Sequence, residues 1–343
     1  MNFADPLRRW LLMVAAAACC TTAWAQAPSP HAIHIPPWFV ETLLDLREDA
    51  TDAAKENKRL LVYFGQDGCP YCKQLMETTF AEARIAAKAK KHFVAIALNL
   101  WGDREVTWVD GRRMSEKELG RMLKVQFTPT VLMFDEKAQI VARLNGYYPA
   151  HRMEAALDHV AGRMESRVPL AEYLQSADKD AASPTLNAQP FLRPPPYDLP
   201  ALLPPKGGKP LLVLVERPHC ASCDELHREG LRRPDVAALL KRFNVVQLDA
   251  TAFTELVTPD GERTNARAWA RRLAAPYAPA LVFFDGSRRE VFRVEAYMRP
   301  FHLASALDYV ASSAYREQPS FQRYVQTRAE QMRARGVNVD LWR

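Results

Sequence analysis

The sequence predicts an α/β chain of two tandem domains, each an alternation of strands and helices, joined by a proline-rich linker. Three observations predict it. The chain repeats itself: at an offset of 150, Phe93 meets Phe243, Asp110-Gly111 meets Asp260-Gly261 and Pro129 meets Pro279. Phe134-Asp135 likewise meets Phe284-Asp285, and Ala156-Leu157-Asp158 meets Ala306-Leu307-Asp308. A Cys-x-x-Cys pair stands at the matching place in each half, Cys69-Pro70-Tyr71-Cys72 and Cys220-Ala221-Ser222-Cys223, at offset 151. Finally, short apolar runs alternate with segments of helical spacing in both halves. The expected order is a signal peptide over 1–25, a first domain over 26–176, the linker over 177–209, a second domain over 210–330 and a tail over 331–343.

The N-terminus reads as an export signal. Arg8 and Arg9 form a positive region, Trp10 to Ala18 an apolar core, and Ala23-Trp24-Ala25 a cleavage signal, so Gln26 is the expected mature start. The apolar run is shorter than the roughly 20 residues a spanning helix needs, which disfavours a retained anchor. Arg8-Arg9 fits a twin-arginine signal and a general secretory signal alike, and a lipoprotein reading through Cys19 is weakened by Ala16-Ala17-Ala18 before it. Cleavage would remove Cys19 and Cys20, and the four remaining cysteines all belong to the two pairs.

In the first half, Phe39, Leu43, Leu44 and Leu46 have helical spacing within Trp38 to Asn57, and Leu60 to Phe64 is a short buried strand. Helices are predicted from about Cys72 to Phe80 and from Glu82 to Lys90, then a strand over Phe93 to Leu98. Asp110-Gly111 marks a hairpin turn, and Ser115 with Glu118 forms a capping box that opens a helix to Leu123. Thr130 to Phe134 and Gln139 to Leu144 read as paired strands, followed by a closing helix from Ala150 to Met164. The second half repeats this from Leu211-Leu212-Val213-Leu214-Val215 to a closing helix over Phe301 to Ser313, without a counterpart of the Trp38 helix. In its place lie Pro194-Pro195-Pro196, Pro200 and Pro204-Pro205, either an extended linker or a segment packed through Phe191, Tyr197, Leu199, Leu202 and Leu203. Extra amphipathic helices are expected at Leu170 to Gln175 and at Phe321 to Gln326.

Cysteine usage narrows the chemistry. A mature chain of this length and apolar content builds its core without covalent staples, and a bridge across three residues closes too small a loop to stabilise much. Zinc ribbons place their two knuckles about 15–20 residues apart, whereas Cys72 and Cys220 are separated by most of a domain. Dithiol–disulfide chemistry remains, with no metal and no cofactor, because the electrons reside on sulfur. The net charge of +6 falls to +5 once Asp5, Arg8 and Arg9 are removed, and no basic cluster is interleaved with aromatics, so nucleic acid is not an expected partner.

Only a thiolate attacks a disulfide, so the leading cysteine needs a lowered pKa and access. A cysteine on the first turn of a helix receives free backbone N–H groups, and one a turn further in is within its reach. Cys69 and Cys220 are therefore the expected attacking sulfurs, and Cys72 and Cys223 the resolving ones. Pro70 suits the first turn, where its missing N–H would be unpaired anyway.

Strand, Cys-x-x-Cys, helix and then Thr128-Pro129 before the next strand resembles the thioredoxin fold. The resemblance implies a central mixed sheet flanked by helices in each half. It implies that Thr128-Pro129, and Ala278-Pro279 in the second half, form the cis-proline site that presents backbone groups to the substrate. With the Asp110-Gly111 hairpin, Phe127-Thr128-Pro129-Thr130 and Gly146-Tyr147-Tyr148-Pro149, the first half resembles exported SoxW-type thioredoxins over about Trp38 to Met164; the second half is more divergent. Gly68 and His219 stand where that family carries tryptophan, and Tyr63 and Leu214 where it carries a buried acid. Asp67 and Glu216 are nearby acids expected to be solvated. The Pro-Tyr dipeptide resembles glutaredoxins and periplasmic disulfide enzymes, which implies a potential less reducing than thioredoxin's.

Other residues carry two readings each. His219 either favours the Cys220 thiolate when protonated or is an exposed bystander. Trp101 and Trp108 either form a substrate lip or pack the hairpin, and Tyr147 and Tyr148 either face the site or belong to the core. The arginine-rich end, Thr327 to Arg343, reads as a solvated helix or a surface for an acidic partner. The expected function is a periplasmic thiol–disulfide reductase between an inner-membrane thiol carrier and exported protein disulfides, in a sulfur-oxidation or cytochrome-maturation setting. An oxidase or isomerase, a second half that only binds clients, and a non-catalytic scaffold or chaperone are the alternatives.

Overall fold

A computed structural model describes residues 32–177, 182–203, 208–273, 275, 278–295 and 298–339. The signal-peptide reading of 1–25, with Cys19 and Cys20, lies outside the described residues.

The first half is built on a mixed sheet. β1 (Arg59–Gly65) pairs in parallel with β2 (Phe93–Asn99) and antiparallel with β5 (Thr130–Phe134), which pairs antiparallel with β6 (Ile140–Asn145). β1 is buried throughout: Leu61 and Tyr63 face one core cluster, and Leu60, Val62 and Phe64 face the other. A strand covered on both faces reads as an unbroken apolar run, which is why it was legible. β3 (Glu105–Thr107) and β4 (Arg113–Ser115) form the hairpin around Gly111. Glu118 Oε2 accepts the Ser115 N–H at 2.9 Å where the α4 helix (Glu116–Met122) starts.

The helix expected from Trp38 begins only at Leu46: α1 is Leu46–Lys55. The Asp45 carboxylate caps it by accepting the Arg47 and Glu48 N–H groups at 3.1 Å. Upstream, the backbone bonds elsewhere, Val40 N–H to Ala95 O at 2.8 Å and Thr107 N–H to Leu44 O at 2.9 Å, so it is not free to coil. The helix after the cysteines also departs from expectation. It is α2 (Pro70–Gln74) followed by a π-helical turn at Leu75–Thr79, before α3 (Ala83–His92). The half closes with α5 (Ala150–Ala161) and α6 (Leu170–Ala177).

The second half repeats this plan. β9 (Leu211–Glu216) pairs in parallel with β10 (Asn244–Asp249) and antiparallel with β13 (Ala280–Phe284), which pairs with β14 (Glu290–Val294). Its dithiol helix α7 (Ala221–Glu225) again runs into a π-helical turn, Leu226–Gly230, then α8 (Pro234–Leu240). The hairpin β11–β12 (Glu255–Val257, Arg263–Asn265), α9 (Ala266–Arg272), α10 (Pro300–Ala311) and α11 (Phe321–Ala334) complete it.

Of the two readings of the proline-rich stretch, the described residues 182–203 are packed, so the linker reading is corrected there. β7 (Leu192–Arg193) pairs in parallel with β10, β8 (Tyr197–Asp198) pairs with β11, and Leu199 and Leu203 are fully buried. Pro194, Pro195 and Pro196 lie between these two-residue strands and not in them, so no ladder N–H donor is lost. The second half therefore does have a counterpart of the 33–45 segment: Leu199 N–H donates to Val257 O, and in the first half Leu44 O accepts from the N–H of Thr107, the residue that matches Val257.

Residues Ile33–Arg343 form one compact unit. The halves meet reciprocally. Asn145 Nδ2 donates to Glu295 Oε2 at 3.1 Å, and these two residues occupy matching positions of the repeat. Arg152 donates to Ser222 Oγ at 2.9 Å, while its counterpart His302 packs on Tyr71, the counterpart of Ser222. Mutual pairing of this kind is the mark of a two-fold-like interface.

Candidate active site

Each cysteine pair is placed by the end of a buried strand. After β1 the chain turns through Gly68, whose φ of +74° a glycine adopts without penalty, and Cys69 becomes the N-cap of α2. After β9 the same left-handed turn falls on His219, at φ +55°, a costly conformation for a side chain. The His219 N–H is held there by Ser183 O at 2.8 Å, and its imidazole is exposed.

The local geometry is the same twice. Cys69 Sγ accepts the Cys72 N–H at 3.1 Å, and Cys220 Sγ accepts the Cys223 N–H at 3.1 Å. A backbone donor aimed at sulfur favours the thiolate over the thiol. Both pairs are joined as disulfides, Cys69–Cys72 and Cys220–Cys223. All four cysteines are buried, Cys69 and Cys72 in the first half and Cys220 and Cys223 in the second.

Three X-Pro peptides are cis among the described residues, Thr128-Pro129, Pro195-Pro196 and Ala278-Pro279; the first lies against Cys69 and the third on the cleft between the halves. The Thr128 hydroxyl donates to Cys69 Sγ at 3.5 Å, and its carbonyl oxygen lies 3.4 Å from the same sulfur. Ala278 has no hydroxyl to offer. It lines, with Pro279, a cleft of about 760 Å³ between the halves that Ala221, Ser222 and Tyr71 also border. Thr128 and Pro129 are buried, whereas Ala278 and Pro279 are half-exposed.

The acids differ from expectation in one half only. Asp67 is exposed, as expected. Glu216 is not solvated: it is fully buried at the end of β9, with His227 Nε2 2.9 and 3.1 Å from its two oxygens and Gln247 Nε2 donating at 2.7 Å. His227 lies one turn after Cys223 in the helical run. A polar group buried at a strand end needs such partners. In the first half Gly65 and Met76 hold the corresponding positions, and Tyr63 Oη is buried without a hydrogen-bond partner. Burial, reinforced by Asp67, pushes the Tyr63 phenol far above its ordinary pKa, so it stays neutral.

Sequence reasoning missed the Glu216–His227–Gln247 cluster because its members are 11 and 31 residues apart. It also missed Asp224, which accepts from Ser183 N–H at 2.8 Å and Asn187 Nδ2 at 2.6 Å, tying the proline-rich segment to the second dithiol helix. Trp108 packs on Phe134 at 6.0 Å and Tyr148 is buried, the packing readings. Trp101 bonds Gln66 and lies under the Arg323 guanidinium at 4.6 Å, in the contact with the second half. The arginine-rich end begins on α11, which buries Phe321, Val325 and Ala329.

The model of the thioredoxin-like domain family matches residues 46–161 and again residues 204–311, well over half of the chain. No curated protein matches it. Among solved structures, a thioredoxin-fold protein from Helicobacter pylori is 24% identical over 35% of this chain and 84% of its own, with a TM-score of 0.32. A thioredoxin from Thermus thermophilus is 26% identical over 33% of this chain and 81% of its own, with a TM-score of 0.27.

Proposed function

This chain belongs to the thioredoxin-like domain family, and from that premise we propose that it is a periplasmic thiol–disulfide reductase. It takes electrons from an inner-membrane thiol carrier and passes them to disulfides of exported proteins. The observation that carries this reading is the repeated Cys-x-x-Cys cap, each leading sulfur accepting the N–H of its partner, with the cis Thr128-Pro129 against the first. Export is supported by the Arg8-Arg9, apolar-core and Ala23-Trp24-Ala25 pattern.

In the reduced pair, the Cys69 thiolate attacks one sulfur of a client disulfide. A mixed disulfide forms, and the other client sulfur leaves as a thiolate that takes up a proton. Cys72, as thiolate, then attacks Cys69 Sγ and expels the second client sulfur. Two electrons pass from the dithiol to the client, leaving the Cys69–Cys72 disulfide. The carrier's dithiol reduces it again by the same exchange. Cys220 and Cys223 run the same steps, with Thr128-Pro129 and Ala278-Pro279 positioning client backbone.

A second reading, isomerisation, is favoured by the shared cleft that Tyr71 and Ser222 both border. Turnover of an insulin-type disulfide by Cys69→Ser and Cys220→Ser variants tests the proposal. Each variant is expected to lose the contribution of its own site; undiminished turnover with all four cysteines replaced would overturn it. Mixed disulfides trapped in cells by Cys72→Ser and Cys223→Ser separate the readings. A membrane thiol carrier among the adducts supports the reductase, and recovery only of exported chains still folding supports isomerisation or oxidation.

A further inference from the structure

The two dithiol sites are built alike and the leading sulfurs of Cys69 and Cys220 are both buried, but the residues that flank them are not equally open. In the first, Pro70 and Tyr71 between the cysteines are buried, as are Thr128 and Pro129. In the second, the counterparts Ala221, Ser222, Ala278 and Pro279 are all half-exposed and border the cleft. The difference comes from what the second half places over the first.

Three sets of contacts make the cover. At Tyr71, the hydroxyl accepts the Arg299 N–H at 2.6 Å, the Arg299 guanidinium lies 5.5 Å above the ring, and His302 packs edge-on at 5.1 Å. Beside the cis-proline, Phe127 inserts into the second half's core, 5.8 Å from Phe292 and 5.6 Å from Phe321. Its neighbour Gln126 accepts the Phe321 N–H at 3.2 Å and, through its carbonyl, Gln322 Nε2 at 3.1 Å. On the third side, Gln66 donates to Gln322 at 3.2 Å and Arg323 covers Trp101. The residues that would meet a client around Cys69 are thus occupied by Arg299, His302 and the start of α11.

We propose that the second half is a latch over the first dithiol site: in the closed chain the residues flanking the dithiol are free to meet a client only at the second site, and Cys69 becomes reactive when Arg299, His302 and the start of α11 lift away. This inference rests on the exchange chemistry proposed above for Cys69. Exchange requires the attacking sulfur to reach its target, and the latch controls that access without any change in the local geometry at sulfur. The second half has its own dithiol, so the latch is itself a redox domain.

The test is site-resolved labelling of the fully reduced chain, read by peptide mass spectrometry. One probe is N-ethylmaleimide, which is small; the other is a maleimide carried on a polyethylene glycol chain. In the unmodified protein the bulky probe is expected to label Cys220 about tenfold faster than Cys69, because access limits the rate. Arg299→Ala combined with Gln126→Ala should raise bulky labelling of Cys69 by about tenfold and leave Cys220 unchanged. Equal bulky labelling of Cys69 and Cys220 in the unmodified chain would overturn the latch. So would an unchanged ratio in variants whose circular dichroism is intact. Should the double variant lose its fold, Gln322→Ala, which removes only hydrogen bonds to Gln66 and Gln126, must give the same shift or the latch is rejected. Slow reaction of both leading cysteines with N-ethylmaleimide in the opened variants would instead reject the nucleophilic role, leaving the access ratio to stand or fall separately.

Discussion

Acidification should loosen the contact between the halves through a single imidazole. His302 is buried on α10 against Tyr71, with Arg299 nearby and its Nδ1 without a hydrogen-bond partner. Burial, reinforced by Arg299, lowers its pKa from 6.5 to about 4. A folded pKa below the unfolded one means that the unfolded chain takes up the proton first. The stability that the neutral imidazole supports is therefore fully present above about pH 6.5 and is lost as pH falls toward 4. At about 1.36 kcal/mol per unit, the loss between pH 6.5 and 5 is about 2 kcal/mol, and about 3 kcal/mol across the whole window. Urea unfolding of the unmodified chain and of His302→Phe at pH 7, 6 and 5 measures it. The phenyl ring keeps the contact with Tyr71 and removes the titration, and every other group contributes equally to both proteins. The unmodified chain should lose about 2 kcal/mol relative to the variant on going to pH 5. Parallel pH dependences would refute the assignment of a neutral, buried His302.

Asp49 carries the opposite sign. Burial raises its pKa to about 6, against a hydrogen bond from the Thr42 hydroxyl at 3.1 Å, so its charge costs stability above pH 6 and the cost disappears as pH falls toward 3.8. Asp49→Asn should raise stability by about 1 kcal/mol at pH 7, after allowance for partial exposure, and by nothing at pH 4 in thermal melts. Glu216→Ala strips His227 and Gln247 of their shared acceptor and should cost about 3–5 kcal/mol in urea unfolding, with Glu216→Gln costing less. Arg59, buried at the start of β1, bonds Glu136, Glu165 and the Val160 carbonyl. Arg59→Met should cost about 2–3 kcal/mol by the same measurement, and a neutral result would show that its partners are rehydrated at no cost. Equilibration of the first pair with a glutathione buffer should give a potential above about −270 mV; a value at or below it would remove the likeness drawn from Pro70-Tyr71.

The strands were legible because both of their faces are covered, so β1, β5, β9 and β13 read as unbroken apolar runs. The dithiol caps were legible because Cys-x-x-Cys at a strand end needs only local geometry. The start of α1 was not. Phe39, Leu43, Leu44 and Leu46 have helical spacing, yet Leu43 is 96% exposed and Leu44 has φ +59°, so the periodicity there is coincidental. Two-residue strands such as β7 and β8 carry no alternation to detect. Glu216 looked like a surface acid because its partners arrive from a helix and from a neighbouring strand. The unequal cover over the two sites depends on contacts such as Gln126 with Phe321, 195 residues apart. No local pattern announces such a contact.

The pairing of β7 with β10 has a practical side. Trimming the second half at the boundary suggested by composition, near residue 210, would strip β10 of its outer neighbour and leave a row of open N–H and C=O groups at the sheet margin. Such margins recruit strands from other molecules. A fragment beginning there should therefore precipitate or self-associate, whereas one that starts before Ser183 carries its own guard strand.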